Sequence, residues 1–233
     1  MSATPAMNGK AVHPRPAAAH PPDSVAAWDV DGTLTRTDTM FPFLRRVAGP
    51  ALVTAALVPA IGLHLTGAER RPRAKAALLR RVLAGRELSD VDRIAQAYAE
   101  HVIRHRMRPD ALRRWEWHRR RGHRLVLVSA SLDLYLRHLG AELGADAVIC
   151  TRMEVVEGRL TGRMSSPSCR GQEKAIQLAD YLLRHPGSPV WVYGDSAADR
   201  PMMTVGTIPI NVRTRNALYE FIDRPSEDTE DAA

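Results

Sequence analysis

Three short apolar runs constrain the fold of this chain more than any other feature of its sequence. They are Val25–Trp28, Leu125–Val128 and Val190–Tyr193, and each leads directly into small or acidic residues. Short apolar runs bounded by turn residues are typical of buried parallel strands. The sequence therefore predicts three strands that share one sheet.

Weaker patterns occur in the sequence between and after these runs. Further strands are predicted over 148–153 and 207–212, and helical spacing of apolar residues covers 132–143 and 172–184. Alternation of strands and helices predicts an α/β fold with a doubly wound, mainly parallel, Rossmann-like sheet. In such sheets ligands bind beyond the carboxyl ends of the strands.

The stretch 39–121 breaks this alternation and predicts an all-helical cap inserted into the sheet domain. The α/β catalytic core then consists of 24–38 and 122–223. Residues 1–23 are rich in Ala, Pro and His and lack the apolar run of a secretory signal, so they predict a disordered extension. Residues 224–233 predict an acidic, flexible tail.

Charge and cysteine content narrow the class of protein. The chain has 33 basic and 26 acidic residues, and the segment 34–122 alone carries 19 basic and 8 acidic residues. Lysine is rare, with only Lys10, Lys75 and Lys174, so a lysine inside a motif stands out against the arginines. Two cysteines and no CxxC pair exclude a disulfide scaffold and a zinc ribbon. We therefore expect a reducing, cytoplasmic compartment.

The cap contains an unusual uncharged stretch, Val47–Ala68, with arginine pairs on both sides. A buried helical hairpin, a segment that dips into a membrane interface, and a true membrane span are all compatible with its length. Prolines and a histidine interrupt it, which disfavours the span. The second interpretation predicts peripheral contact with the anionic inner membrane face.

Four polar elements follow the predicted strands in a fixed order. Asp29-Val30-Asp31-Gly32-Thr33 follows the first strand, Ser129 ends the second, Lys174 opens a helix, and Asp195 and Asp199 follow the third strand. Taken singly, Ser129 could cap a helix and Lys174 could be a solvated charge. Together they indicate a site for phosphate chemistry at one edge of the sheet.

In these motifs the chain resembles the haloacid dehalogenase-like superfamily of phosphohydrolases. It is most similar to the phosphoserine-phosphatase-like branch, which carries a helical cap between its first and second motifs. The resemblance implies a phosphatase that acts through an aspartyl-phosphate.

Physical chemistry supports the same roles. A phosphate dianion and an attacking carboxylate repel each other, so Mg²⁺ held by Asp29, Asp195 and Asp199 would screen the charge. Alternatively, Asp199 does not bind the metal itself but hydrogen-bonds to one of the residues that do. The resemblance adds the backbone carbonyl of Asp31 to the metal shell.

The remaining catalytic roles follow from the same picture. Asp29 would attack phosphorus, and Asp31 would protonate the leaving oxygen and then activate water. Ser129 and Lys174 would hold the non-bridging phosphoryl oxygens.

Two differences from phosphoserine phosphatases bear on the substrate. Those enzymes have a glutamate nine residues after the nucleophile, where this chain has Asp38, and two glycines where this chain has Ala130 and Ser131. The apolar stretch instead resembles the bacterial phosphatidylglycerophosphate phosphatases. Candidate substrate contacts are Asp38, Gly32, Ala130, Ser131 and Arg170.

The sequence thus predicts a Mg²⁺-dependent phosphomonoesterase whose substrate is a lipid-linked phosphate. A small polar phosphate, such as phosphoserine, is the alternative substrate. A basic nucleic-acid-binding protein is the alternative of another class, suggested by the basic, tryptophan-containing segment 115–121. Binding alone gives no reason for acidic residues at strand ends, so nucleic acid is not the expected partner. No oligomeric state is predicted.

Overall fold

The computed structural model describes residues 24–56, 70–214 and 217–218. The predicted disordered extension and acidic tail lie outside these residues. So does the second part of the uncharged stretch, from residue 57 to residue 68.

The described chain contains a five-stranded parallel sheet in the order β3-β2-β1-β6-β7 and a separate two-stranded antiparallel hairpin, β4-β5. The strands are β1 (Val25–Trp28), β2 (Arg124–Leu132), β3 (Ala147–Thr151), β4 (Met153–Val156), β5 (Arg159–Met164), β6 (Val190–Gly194) and β7 (Ile208–Asn211). The doubly wound α/β prediction is confirmed. The strand order reverses around β1, which places a ligand crevice at its carboxyl end.

Seven α-helices with defined bounds accompany the strands in the described residues. They are α1 (Met40–Ala48), α2 (Arg70–Leu83), α3 (Leu88–His105), α4 (Pro109–Arg120), α5 (Asp133–Leu143), α6 (Gln172–Arg184) and α7 (Arg200–Met203). Residues 50–56 are also helical. Helices α1 to α4 lie in the predicted insertion, as its lack of strand patterns indicated.

Alternate residues of the central strands pack against helices on opposite faces of the sheet. Val25, Ala27 and Val192 belong to a cluster that includes Leu178 of α6 and Met202 of α7. Trp28 and Tyr193 face the other way and pack with residues of α3, α4 and α5. Burial on both faces explains why these strands are continuous apolar runs.

Two strand boundaries differ from the sequence prediction. Residues 148–153 were predicted as one strand, but β3 ends at Thr151 and β4 begins at Met153. The second strand was predicted to end at Ser129, but β2 continues to Leu132 with an irregular register between Ser129 and Leu132. Both errors arise where the chain leaves the regular sheet, because a local pattern of apolar residues does not indicate where regular pairing ends.

The β4-β5 hairpin was not predicted, and it packs against the cap. Gly162 in β5 has a positive φ of 76°, and an added Cβ would lie 2.6 Å from Cα of Arg80 in α2. Backbone hydrogen bonds join Gly85 to Leu160 and Leu88 to Gly158. The hairpin therefore fixes the turn between α2 and α3.

The described part of the uncharged stretch is buried on one side and exposed on the other. Val47, Val53 and Ala56 are at most 7% exposed and join the main hydrophobic core. This packing favours the buried interpretation for 47–56. Among the residues that the structure describes, no helix is long and apolar enough to cross a membrane.

Helix α4 packs on the sheet, although the sequence analysis counted it in the cap. Trp115 of α4 lies 5.9 Å from Trp28 between ring centroids, and Trp28 stacks on Tyr193 at 3.6 Å. The exact division between core and cap stays a prediction, and this contact favours an end of the cap before Pro109.

A buried polar group lies within this aromatic layer. The Tyr193 hydroxyl accepts a hydrogen bond from Nε of Arg114 at 2.8 Å and lies 2.7 Å from Nε2 of His118. Because that hydroxyl proton is then free to point at His118, the imidazole is an acceptor at Nε2 and neutral. Burial, together with the nearby Arg114 charge, lowers the pKa of His118 to about 2.

This histidine predicts a pH dependence of stability. Below pH ~6.5 His118 is protonated in the unfolded chain but stays neutral in the native protein. The contribution of this group therefore lowers the free energy of unfolding by about 1.4 kcal/mol for each unit by which the pH falls. Urea unfolding at pH 7, 6 and 5 measures the slope. His118→Asn should reduce it, whereas the exposed control His185→Gln should keep it. An unchanged slope in His118→Asn would contradict the assignment.

Candidate active site

The carboxyl ends of β1, β2 and β6 surround a cavity of about 230 Å³. Nine of the residues predicted from sequence line it, namely Asp29, Asp31, Asp38, Ser129, Ala130, Ser131, Arg170, Lys174 and Asp199. Met40 and Phe41 of α1, Lys75 of α2, Ser168, Ser196 and Ala198 complete the wall. Both the sheet and the cap therefore contribute to the cavity.

Asp29 lies at the end of β1 and is 5% exposed. Its backbone N–H donates to the carbonyl of Tyr193 at 2.9 Å, which joins β1 to β6 at this point. Oδ1 accepts from Nζ of Lys174 at 2.5 Å, and Oδ2 accepts from the Thr33 hydroxyl at 2.9 Å. The carboxylate is therefore fixed at both oxygens.

Lys174, in the first turn of α6, joins two acidic groups. Its Nζ also donates to Oδ1 of Asp199 at 2.6 Å. Burial opposes its charge, but the carboxylates of Asp29 and Asp199 raise the pKa of Lys174 to about 12. One ammonium cannot neutralise both carboxylates, and burial raises the pKa of Asp29 to about 7 despite Lys174. The site thus holds an excess of buried negative charge.

Asp31 points away from this ion pair. Oδ1 accepts from the N–H and the hydroxyl of Thr39 at 2.7 and 2.6 Å, and Oδ2 accepts from the Ser131 hydroxyl at 2.6 Å. The Thr39 hydroxyl lies 2.7 Å from the Tyr135 hydroxyl, and Tyr98 donates to the Thr39 carbonyl. These contacts set the direction of the Asp31 carboxyl group.

Of the residues that hold Asp31, sequence reasoning named Ser131, as a substrate contact, but missed Thr39 and Tyr135. Thr39 and Tyr135 are separated by 96 positions, and only the fold brings them together. The run of alternating threonines, Thr33, Thr35, Thr37 and Thr39, was a signal in the sequence, since two of them bond to the aspartates of the first motif.

The loop after β6 holds Asp195 and Asp199. Oδ2 of Asp199 accepts from the N–H and the hydroxyl of Ser196, which together with Lys174 hold the pKa of Asp199 below its usual range although burial opposes this. Asp195 accepts two hydrogen bonds from Arg213, at 3.0 and 2.5 Å.

Two predicted substrate contacts lie elsewhere or at the edge. Gly32 does not line this cavity. It packs against Asp195, and a Cβ added to Gly32 would lie 2.5 Å from Oδ2 of Asp195. Asp38 accepts from the N–H of Phe41 at the start of α1, and so lies at the exposed rim.

Three of the carboxylates fit a divalent cation. Asp29, Asp195 and Asp199 are buried, and each offers an oxygen within 4.8 Å of the others. Hard oxygen donors with excess negative charge are what Mg²⁺ binds in proteins. The side chain of Asp31 is not in this group, so its predicted contribution through the backbone carbonyl stays a prediction.

A comparison with protein families agrees with this geometry. The model of the haloacid dehalogenase-like hydrolases matches residues 26–204. The chain belongs to the haloacid dehalogenase-like hydrolase family. This matched range contains all four motifs and the cap.

Curated relatives extend the comparison. Protein CicA of Caulobacter vibrioides is 34% identical over 187 residues, which cover 78% of this chain and 82% of that protein. The phosphoserine phosphatase SerB2 of Mycobacterium tuberculosis is 28% identical over 84% of this chain and 46% of its own length.

Solved structures share the fold. A protein from Bordetella pertussis Tohama I, whose title gives its function as unknown, has a TM-score of 0.70 at 22% identity, over 82% of this chain and 90% of that chain. A phospho-aspartyl intermediate analogue of phosphoserine phosphatase has a TM-score of 0.57 at 18% identity, over 82% of this chain and 86% of that chain. Family and relatives together identify this chain as a phosphatase, which leaves the nucleic-acid alternative without support.

The contact between Arg213 and Asp195 predicts competition with the cation. Arg213 binds one oxygen of Asp195, which is a candidate metal ligand, and the Arg213 side chain is 70% exposed. Since an ion pair with a solvent-exposed arginine contributes ~0.2–1 kcal/mol, Arg213→Gln should tighten Mg²⁺ binding by a factor of about 1.4 to 5. Isothermal titration calorimetry with MgCl₂ measures this.

The control is Arg184→Gln, at an exposed arginine at the end of α6. Its affinity for Mg²⁺ should equal that of the wild type. Weaker Mg²⁺ binding in Arg213→Gln would show that the arginine supports the site and does not compete for it.

Proposed function

We propose that this chain is a Mg²⁺-dependent phosphomonoester hydrolase that transfers the phosphoryl group to Asp29. One observation carries the proposal: the buried Asp29 carboxylate faces the cavity, fixed by Lys174, with Asp31 two residues further on. The related folds include a phosphoserine phosphatase solved as a phospho-aspartyl intermediate analogue, which supports the same chemistry here.

The first step forms a bond between an Asp29 carboxylate oxygen and phosphorus. The bond between phosphorus and the ester oxygen breaks, and Asp31 gives that oxygen a proton, so an alcohol leaves. In the second step Asp31 takes a proton from water, the water oxygen attacks phosphorus, and the Asp29 carboxylate is regenerated with release of inorganic phosphate.

Other side chains hold the reacting group. Lys174 presents its charge beside Asp29, where it can stabilise the phosphoryl oxygens as charge redistributes. Ser129 also lines the cavity and is 1% exposed. Bound by Asp29, Asp195 and Asp199, Mg²⁺ would neutralise the repulsion between carboxylate and phosphate.

Substitution of the two aspartates separates the steps. Asp29→Asn keeps the shape but removes the attacking charge, so turnover should fall on the order of 10³-fold or more. Asp31→Asn should also slow turnover severely, but part of the enzyme should remain phosphorylated because water activation is lost. Released phosphate and intact-protein mass measure both outcomes.

Matched controls accompany these variants. Asp38→Asn, at the exposed rim of the cavity, should lose far less activity than Asp29→Asn. Near-normal turnover by Asp29→Asn would refute the covalent mechanism.

For the substrate we propose a lipid-linked phosphate such as phosphatidylglycerophosphate. Met40 and Phe41 bring apolar surface to the cavity, and Phe41 is 37% exposed. The exposed Arg45 and Arg46 follow on the same helix and could contact anionic head groups at the inner membrane face. The cap would then present the cavity to the membrane surface.

A small polar phosphate is the second candidate. The similarity to SerB2, a phosphoserine phosphatase, favours it. Most of the residues that line the cavity of about 230 Å³ are also polar or charged. In that case the apolar rim would serve only to pack the cap.

A phosphate-release assay distinguishes the two substrates. With Mg²⁺ present, kcat/KM should be at least about tenfold higher for phosphatidylglycerophosphate in mixed micelles than for phosphoserine, since burial of apolar chain at the rim adds binding. Inorganic phosphate is measured after addition of each substrate, with a sugar phosphate as the third.

Empty micelles added to the phosphoserine reaction control for detergent effects. The protein should also co-sediment with anionic vesicles more than with neutral ones, and salt should weaken this. Preference for phosphoserine with no vesicle binding would decide for the small polar substrate.

A further inference from the structure

Lys75 is the one cavity-lining residue from α2, and sequence reasoning gave it no role. It is one of three lysines in the chain. Its Nζ donates to the carbonyl of Ala130 at 2.6 Å, the hydroxyl of Ser168 at 2.9 Å and the hydroxyl of Thr151 at 3.2 Å. All three protons of the ammonium group thus have neutral acceptors.

These acceptors belong to three separate parts of the core. Ala130 lies in the irregular end of β2, Thr151 ends β3, and Ser168 precedes α6. The Thr151 hydroxyl donates to the Ala130 carbonyl at 2.8 Å and accepts from the N–H of Cys169 at 3.1 Å. Lys75 therefore connects the cap to a network that surrounds one peptide group.

That peptide group lies in the Ser129–Ser131 segment of β2, where Ser129 would hold the phosphoryl oxygens. The carbonyl of Ala130 and the N–H of Ser131 belong to the same planar unit, so fixing one fixes the other. The Ser131 N–H donates to Oγ of Ser129 at 3.1 Å, and the Ser131 hydroxyl donates to Asp31. The orientation of the Ala130 carbonyl thus controls both Ser129 and Asp31.

We propose that Lys75 is a positioning residue, through which the cap holds the Ser129–Ser131 segment of β2 in its reactive conformation. It acts through the Ala130 carbonyl and need not contact the substrate. The proposal rests on the proposed phosphoryl transfer to Asp29. On this proposal, the chemical step requires that α2 is correctly packed against the core.

The charge of Lys75 supports this role. Burial lowers the pKa of Lys75 to about 8. Its charged or titratable neighbours are Cys169, Arg170, Asp31 and Cys150. Burial also raises the pKa of both thiols to about 12, so they stay neutral through this range. As pH rises through about 8, the Lys75 amine loses one N–H donor, and the Ser129–Ser131 segment loses part of its support.

The test compares Lys75→Met with the wild type and with Arg73→Met, an exposed cation on the same helix. The substrate is a small soluble aryl phosphate, and kcat and KM are measured from pH 6 to 9.5. Lys75→Met should lower kcat about 10- to 100-fold, as expected for a misplaced reacting group, with KM changed less than about threefold. The fall of kcat above pH ~8 should be absent, and Arg73→Met should match the wild type.

The kinetic constants distinguish a failure of the Lys75 proposal from a failure of the proposed function. A higher KM with unchanged kcat would show that Lys75 contacts substrate, and unchanged constants would show that it has no role; either result overturns the proposal. Retention of the wild-type fall above pH 8 in Lys75→Met would also contradict it. Absence of hydrolysis by the wild type would instead refute the proposed function.

A second variant tests the proposal in case Lys75→Met does not fold. Thr151→Val keeps the shape of the side chain but removes the hydroxyl that joins Lys75, Ala130 and Cys169. If Lys75→Met does not fold, Thr151→Val should still lower kcat with little change in KM. Wild-type kinetics in Thr151→Val would overturn the proposal.

Discussion

The site depends on one buried ammonium group shared by two carboxylates. Lys174 bonds to Asp29 and Asp199 at 2.5 and 2.6 Å, and all three side chains are at most 7% exposed. Removal of one partner from a buried ion pair is strongly destabilising, because it leaves an uncompensated charge. The end of β1, the start of α6 and the loop after β6 must therefore meet in one arrangement.

The sheet supplies this arrangement. Because β1 lies between β2 and β6, the motifs that follow these strands meet at one edge. The acidic groups outnumber the cation there, and this imbalance suits a divalent ion and a phosphoryl group. The cap then closes the cavity with residues of α1 and α2, which gives one polar wall from the core and one mixed wall from the cap.

The sequence was most informative where structure is local. The runs Val25–Trp28 and Val190–Tyr193 predicted strands because both faces of the sheet are buried, and the motif residues lie within a few residues of a strand end or a helix start. Features made by distant residues were not predicted. Lys75 meets Ser168 across 93 positions, and the β4-β5 hairpin depends on its contact with α2. A one-dimensional pattern does not contain such pairings.

The central claim is that the phosphoryl group passes through the carboxylate of Asp29. An acyl phosphate can be reduced by borohydride, which converts the phosphorylated aspartate to homoserine. We therefore propose to quench the enzyme during turnover, treat it with borohydride and map the modified residue by peptide mass spectrometry. Homoserine at position 29 alone is the predicted result. Unmodified Asp29 in an enzyme that is turning over, or homoserine at another aspartate, would contradict the account.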